Sequence, residues 1–205
     1  VLSKIVLGLP PWIRIARLIR DFEKATAKNR GLGFESDAIR SNMAEMVDRR
    51  LKRDMDVYEE IKNREVRNRT VDLDRLRFRL HQYDCDDVPA YAGREYFGQL
   101  EAPDAKNVFR LIGLFRLRLN RNEPKRAFLR ELHVYGSYVP KGTTPGKSST
   151  EVQHRGYGRK LLARAEGIAR ANGYKVLEVI SAPGTVGYYR KRGYRLSGRY
   201  MVKSL

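Results

Sequence analysis

Residues 153–158 read Gln-His-Arg-Gly-Tyr-Gly and run directly into an apolar-periodic stretch that carries Leu161, Leu162, Ala165 and Ile168. A glycine-bearing turn that opens a helix presents unpaired backbone N–H groups and the positive end of the helix dipole. Together these favour a phosphate or pyrophosphate. Gly156 and Gly158 have no Cβ, so a ligand can approach the main chain closely. Upstream, Arg130-Glu-Leu-His-Val-Tyr-Gly136 alternates as a strand does and is rich in β-formers. Glu131 and His133 stand two apart on that strand, so their side chains share a face, and both are ionisable candidates for a base. Strand, loop, anion-binding turn and helix form an order that suits a nucleotide-like cofactor. The turn is not the dinucleotide fingerprint, because G-x-G-x-x-G is absent, and it lacks the Gly-Lys-Ser/Thr ending of a P-loop.

The elements that must position these residues are legible in outline. From Asp72 to Gln82 the period is two, with Leu76, Phe78 and Leu80 on one face. Runs at 96–100, 108–119 and 128–138 supply three further strands, and the polar stretch 120–126 serves as a hairpin connection. The segment 141–150, Lys-Gly-Thr-Thr-Pro-Gly-Lys-Ser-Ser-Thr, is a loop dense in turn residues. A helix over 157–172, a strand over 175–181, a short helix over 184–192 and strands near 194–196 and 200–203 complete the chain. The first 70 residues read as helical instead, with helices expected over 12–30, 38–50 and 53–63. The expectation is therefore an α/β fold: a mixed, largely antiparallel sheet with flanking helices, preceded by an α-helical N-terminal extension.

Composition narrows the class. The chain has 205 residues, one cysteine (Cys85) and a formal charge of +18. One cysteine excludes a disulfide framework and fits a reducing cytosol, so a cytoplasmic location is expected. Val1–Leu9 is too short to span a bilayer, and the prolines at 10–11 break it, so no membrane partner is expected. The charge is unevenly placed. Residues 121–205 hold 18 basic and 5 acidic groups, whereas residues 71–120 hold 8 of each. That excess shares a segment with the phosphate-binding turn and favours a polyanion, which makes nucleic acid an expected partner.

Several stretches resemble one family in order and spacing: Arg-Glu-Leu-His-Val-Tyr-Gly (130–136), Val-Pro (139–140), Gln-His-Arg-Gly-Tyr-Gly (153–158), Gly-Tyr-Tyr-Arg-Lys-Arg-Gly-Tyr (187–194) and Gly-Arg-Tyr-Met-Val-Lys (198–203). They resemble the GNAT acetyltransferase domain of the Elongator catalytic subunit and tRNA wobble-uridine carboxymethyl synthase family. Pro-Pro-Trp (10–12) with Arg14 and Arg17, and Arg64-Glu-Val66, resemble the same family further upstream. The resemblance implies a GNAT acetyltransferase domain over 71–205. It implies that 1–70 is a helical extension, the tail or remnant of a radical-SAM domain and its linker. That domain carries an iron–sulfur cluster on three cysteines in the family, so no cluster is expected in a chain with one cysteine. The stretch before Arg64, Val57-Tyr-Glu-Glu-Ile-Lys-Asn63, lacks the zinc-binding cysteines of some relatives, and no metal site is expected.

The same resemblance implies acetyl-CoA as cofactor and tRNA as partner. It assigns coenzyme contacts to Glu131, Leu132, His133 and Val134, then to Tyr157, Gly158 and Arg159, with Gln153, Arg155 and Gly156 completing the turn. The edge of the strand 131–134 is expected to pair with the amides of the pantetheine arm. A tyrosine hydroxyl is protonated at neutral pH and can donate to a departing thiolate. Of the pair Tyr188-Tyr189, the resemblance points to Tyr189 as the catalytic ring, with Tyr188 structural. Glu131 and His133 are the catalytic base candidates. The expected function is an acetyl-CoA-binding acyltransferase domain of a tRNA wobble-uridine modification enzyme, with tRNA-stimulated acetyl-CoA hydrolysis and any radical-SAM domain or subunit supplied elsewhere. The alternatives are a GNAT N-acetyltransferase acting on protein lysine or another amine, and a non-catalytic basic RNA-binding module.

Overall fold

The computed structural model describes residues 2–15, 49, 59–86, 89, 92–136 and 156–205. The bulk of the helices expected at 12–30, 38–50 and 53–63, the loop 141–150, and Gln153, His154 and Arg155 lie outside the described residues. The chain divides into two compact units, Val1–Arg64 and Glu65–Leu205.

In the first unit, helix α1 (Leu2–Leu7) leads to a turn at the two prolines, closed by the Ile13 N–H on the Pro10 carbonyl at 3.0 Å. Trp12 to Ile15 are therefore turn and extended chain, not the start of a helix. Glu60 organises this unit. Its buried carboxylate accepts from the Ile15 N–H (2.8 Å) and from the Asn63 N–H (2.9 Å), which caps the single-turn helix α2 (Ile61–Arg64). The buried Arg64 guanidinium donates to the carbonyls of Pro11 (2.6 Å) and Glu59 (2.7 Å). The two upstream stretches that carried the resemblance are thus bonded to each other.

The second unit is one seven-stranded sheet. Strands β1 (Arg77–Cys85), β2 (Gly93–Pro103), β3 (Phe109–Asn120) and β4 (Arg126–Val134) form an antiparallel meander. Helix α3 (Tyr157–Ala171) then carries the chain to β5 (Val176–Val179), which lies parallel to β4, as a helical crossover allows. A 3₁₀ turn (Pro183–Thr185) and helix α4 (Val186–Arg190) precede β6 (Arg195–Ser197) and β7 (Tyr200–Ser204). The sheet order is β1-β2-β3-β4-β5-β7-β6. This is the mixed, largely antiparallel sheet with flanking helices that the strand pattern predicts. β1 starts five residues later than its alternation implies. The Asp72 carboxylate accepts from the Asp74 N–H (3.0 Å) and turns the chain through a 3₁₀ turn first. That turn leaves Leu76 outside the strand.

The two faces of the sheet differ in kind. Leu161, Leu162, Ala165 and Ala169 of α3 are buried against one face, together with Phe115, Leu117, Ala127, Leu129, Leu177 and Met201. The other face is a lattice of carboxylates and guanidiniums. Glu95 accepts from Arg118 (2.6 Å) and Arg130 (3.0 Å), Glu101 from Arg77 (3.0 Å), Glu131 from Arg116 (2.8 Å) and Glu178 from Arg126 (2.5 Å). Glu95 and Glu101 are fully buried, a placement that only such pairing sustains.

Gly113 in β3 sets how closely α3 and β4 approach. A Cβ there would lie 2.7 Å from the His133 carbonyl oxygen and 3.0 Å from Leu161 Cδ1. Gly113→Ala is expected to destabilise by roughly 1–3 kcal/mol, because backbone must move to admit it. Gly167, exposed on α3, has nothing within 4 Å of its would-be Cβ. There Gly167→Ala should stabilise by about 1 kcal/mol through helix propensity alone. Urea denaturation of the two variants checks the pair, and equal effects of one sign would contradict the packing described.

Candidate active site

The site begins where two strands part. β4 and β5 pair from Arg126–Val176 to Leu129–Val179 and no further. At that point β4 carries an extra residue. Arg116 of β3 faces Glu131 and Leu117 faces Leu129, so Arg130 is left opposite neither. Such a bulge bends its strand and strengthens the local twist. Beyond it, no strand among the described residues covers the β5-side edge of Glu131–Val134. Backbone N–H and C=O groups on that edge are a template for an extended ligand rich in amides.

Helix α3 opens beside this edge. Its N-cap is Gly156, at φ 81°, a left-handed conformation that glycine adopts without strain, and no side chain among the described residues caps the helix. The first-turn N–H groups are therefore not spent on a side-chain cap, and no acidic residue stands in the first turn to compete with an anion. Nothing lies within 4 Å of a Cβ built at Gly156. Arg159 and Lys160 are exposed just beyond. At Gly158 the surroundings are closer: a Cβ would sit 3.0 Å from the Tyr188 hydroxyl and 3.7 Å from Val134 Cγ2. Val134, Gly158 and Tyr188 thus meet, joining the end of β4, the start of α3 and helix α4.

The two tyrosines of α4 stand in different surroundings. Tyr189 is the core ring. It is 6% exposed, packed edge-on between Tyr188 (5.1 Å, 87°) and Tyr194 (5.5 Å, 68°), and burial pushes its hydroxyl up to about 12. Tyr188 is half-buried, and its hydroxyl, next to Gly158, is a buried oxygen with no hydrogen-bond partner. Burial raises its pKa above the ordinary 10.0, against the pull of Arg192 and then Arg159. The neighbouring rings thus point apart, with the Tyr188 hydroxyl at Gly158 and the Tyr189 ring in the core.

The two base candidates lie on the other face. Register and strand alternation put Leu132 and Val134 on the α3 side with Phe115 and Gly113, and Glu131 and His133 on the charged side with Arg116 and Leu114. Glu131 is held by Arg116, and the exposed His133 ring lies 4.4 Å from that of Tyr135. A cavity of about 660 Å³ opens on this charged side, where β4 and β5 separate, lined by Phe128, Leu129, Arg130, Glu178, Ile180 and Tyr200 among others. Sequence reading did not single it out. Its one visible signal is Ile180, a large apolar residue 72% exposed just after β5. Among the described residues no group of His, Cys, Asp and Glu is arranged to hold a metal ion, and no helix is long and apolar enough to cross a membrane.

A parting of two parallel strands with a glycine-opened helix at its mouth is a place where an extended ligand carrying amides and phosphates could lie. The model of the acetyltransferase (GNAT) family matches residues 58–194, and the chain belongs to that family. Among named proteins, it is similar to Elongator complex protein 3 of Mus musculus, with 37% identity over 217 residues, all of this chain and 36% of that protein. The tRNA uridine(34) acetyltransferase of Dehalococcoides mccartyi is 35% identical over 208 residues, covering 96% of this chain and 41% of its own. The solved structure of the archaeal Methanocaldococcus infernus Elp3 with an N-terminal deletion superposes with a TM-score of 0.72 at 29% identity, over 100% of this chain and 47% of that one. The chain thus spans less than half the length of these relatives.

Gly158→Asp places bulk and negative charge against both the turn and the Tyr188 hydroxyl. It is expected to weaken coenzyme A binding at least tenfold, about 1.4 kcal/mol. Calorimetry on the variant and the parent checks this, and equal affinities would remove the turn from the site.

Proposed function

We propose that this chain is the acetyl-CoA-binding acyltransferase part of a tRNA wobble-uridine modification enzyme. The observation that carries the reading is the uncovered edge Glu131–Val134 beside the left-handed Gly156 turn. The residues present fit the coenzyme. The opened turn at Gly156–Arg159 would hold a pyrophosphate, with Gln153 and Arg155 preceding it in sequence, and the edge of β4 would pair with the pantetheine amides. The buried, unpartnered Tyr188 hydroxyl is the kind of group a ligand satisfies. When bound, the coenzyme supplies an acetyl group on a thioester.

In this reading Tyr188, not Tyr189, donates the proton at that site. Its hydroxyl would supply a proton to the coenzyme's departing thiolate and would recover one from solvent. Glu131 and His133 stand on the opposite face of β4, the side from which an acceptor or water approaches. Glu131 is already paired with Arg116, so His133 is the better placed to take a proton.

tRNA is favoured over a protein amine by the charge of that acceptor side. Arg118 and Arg130 line the cavity and Arg126 stands beside it on Glu178, while residues 121–205 carry 18 basic groups against 5 acidic. Those arginines are paired with Glu95 and Glu178, so the preference rests on the surplus over residues 121–205, which attracts a phosphate backbone and repels a lysine side chain. Residues 1–70 are read as adjoining a radical-SAM domain, with the modification taking place in the cytoplasm.

Acetyl-CoA hydrolysis by the chain, measured with and without tRNA, tests this. Stimulation by tRNA should fade steeply as salt rises. Tyr188→Phe should keep coenzyme affinity and lose roughly 10²-fold or more in rate, whereas Tyr189→Phe, which keeps the ring packing, should keep most of the rate. Because the Tyr188 hydroxyl titrates above 10.0, the rate should show no alkaline loss from this group through pH 9. A rate untouched by either substitution would mean that the sulfur takes its proton from water.

A further inference from the structure

The proposed reading uses the Tyr188 hydroxyl but not the cation lying against its ring. Arg192 follows α4, and its guanidinium carbon is 3.5 Å from the centroid of the Tyr188 ring. Its Nη1 donates to the Tyr188 carbonyl at 2.6 Å, while its Nε is buried with no partner. No carboxylate among the described residues is bonded to it. Elsewhere in this unit the partly buried guanidiniums of Arg110, Arg116 and Arg118 each meet a carboxylate, so an arginine spent on an aromatic face stands apart.

What the stack accomplishes follows from the rest of the ring's surroundings. Tyr188 meets Tyr189 edge-on, Tyr189 meets Tyr194, and the Tyr194 hydroxyl donates to Glu166 of α3 at 2.9 Å. Glu166 also accepts from Lys203 of β7 at 2.9 Å. This chain of rings fixes one side of Tyr188 to the core. Arg192 closes the other and ties the ring to its own backbone, so the hydroxyl is kept against Gly158 and Val134. We propose that Arg192 is a positioning residue of the coenzyme site, clamping Tyr188 so that its hydroxyl faces the opening of α3. The inference rests on the reading of Tyr188 given above.

The clamp also has an electrical side. The charged groups facing Tyr188 are Arg192 at the end of α4, Arg159 and Glu166 from α3, and Lys203 of β7 through Tyr194. Burial raises the hydroxyl's pKa, Arg192 opposes this most, Arg159 next, and Glu166 adds to the rise. Loss of Arg192 leaves a weaker acid that is also less well aimed.

Arg192→Met removes the charge and keeps much of the bulk, and Arg192→Lys keeps the charge without the planar stack. The full chain is compared by three readouts: coenzyme A affinity, the tRNA-stimulated hydrolysis rate, and the ¹³C NMR titration of the Tyr188 ring, assigned by its loss in Tyr188→Phe. Arg192→Met is expected to move the Tyr188 titration to higher pH and to lower kcat on the order of tenfold, less than loss of the acid itself. Coenzyme affinity should stay within about twofold, as an interaction made only in the transition state requires. Arg192→Lys should fall between parent and Met in both titration and rate. A Tyr188 titration that does not move in Arg192→Met overturns the proposal, as does an equal loss of rate in both variants, which would make Arg192 a structural brace of α4 only. Full turnover by Tyr188→Phe is a separate outcome: the underlying assignment of the tyrosine then fails, and the clamp with it.

Discussion

The structure turns on the point where β4 stops pairing with β5. Two parallel strands held together along their length would bury every backbone group and leave nothing for a ligand. Here the ladder ends at Leu129 and Val179, one residue before the bulge at Arg130. No strand among the described residues covers the amides of Glu131–Val134, and an extended, amide-bearing ligand would pair with them. The helix crossover then determines where the opening of α3 falls. Because α3 must return the chain from β4 to a strand parallel to it, its first turn arrives at the same end of the sheet as the parting.

Three glycines hold that geometry, two by close approach and one by its left-handed turn. Gly113 lets Leu161 and the His133 carbonyl come within reach of the same β3 position, so α3 and the end of β4 are packed as one body. Gly156 turns the chain into the helix in a conformation that side chains avoid. Gly158 leaves room for the Tyr188 hydroxyl, which the ring stack on Tyr189 and Tyr194 presses toward it. The division of the sheet into an apolar, helix-covered face and a face of paired carboxylates and guanidiniums gives the parting two sides with different chemistry. One side suits a pyrophosphate and pantetheine. The other carries Arg118 and Arg130, both paired with Glu95, at a wide cavity.

Much of this was legible in the residues, and the exceptions have physical reasons. The strand 130–136 and the glycine turn could be read directly, because alternation and a Gly-x-Gly before a helical period are local signals. The bulge at Arg130 could not, since no glycine or proline marks it and its cause is the register of β3 against β4. Glu131 reads as a free base on its own strand, yet Arg116, fifteen positions earlier, neutralises it across the sheet. The β1 start was misplaced because a side chain–backbone bond at Asp72 competes with the ladder, a contest that alternation does not register. The choice between Tyr188 and Tyr189 depends on which side of α4 docks against Tyr194, a tertiary fact that two identical neighbouring side chains do not encode.

The central claim is that the coenzyme lies along the edge where β4 parts from β5, with its phosphates at the start of α3. The most direct measurement is a titration of the ¹⁵N-labelled chain with coenzyme A, followed amide by amide. The account predicts that the largest shifts fall together on Glu131–Val134 and on Tyr157–Arg159, with β1 (Arg77–Cys85) unmoved. Shifts centred on β1, or binding that leaves both of the first two groups untouched, would contradict it.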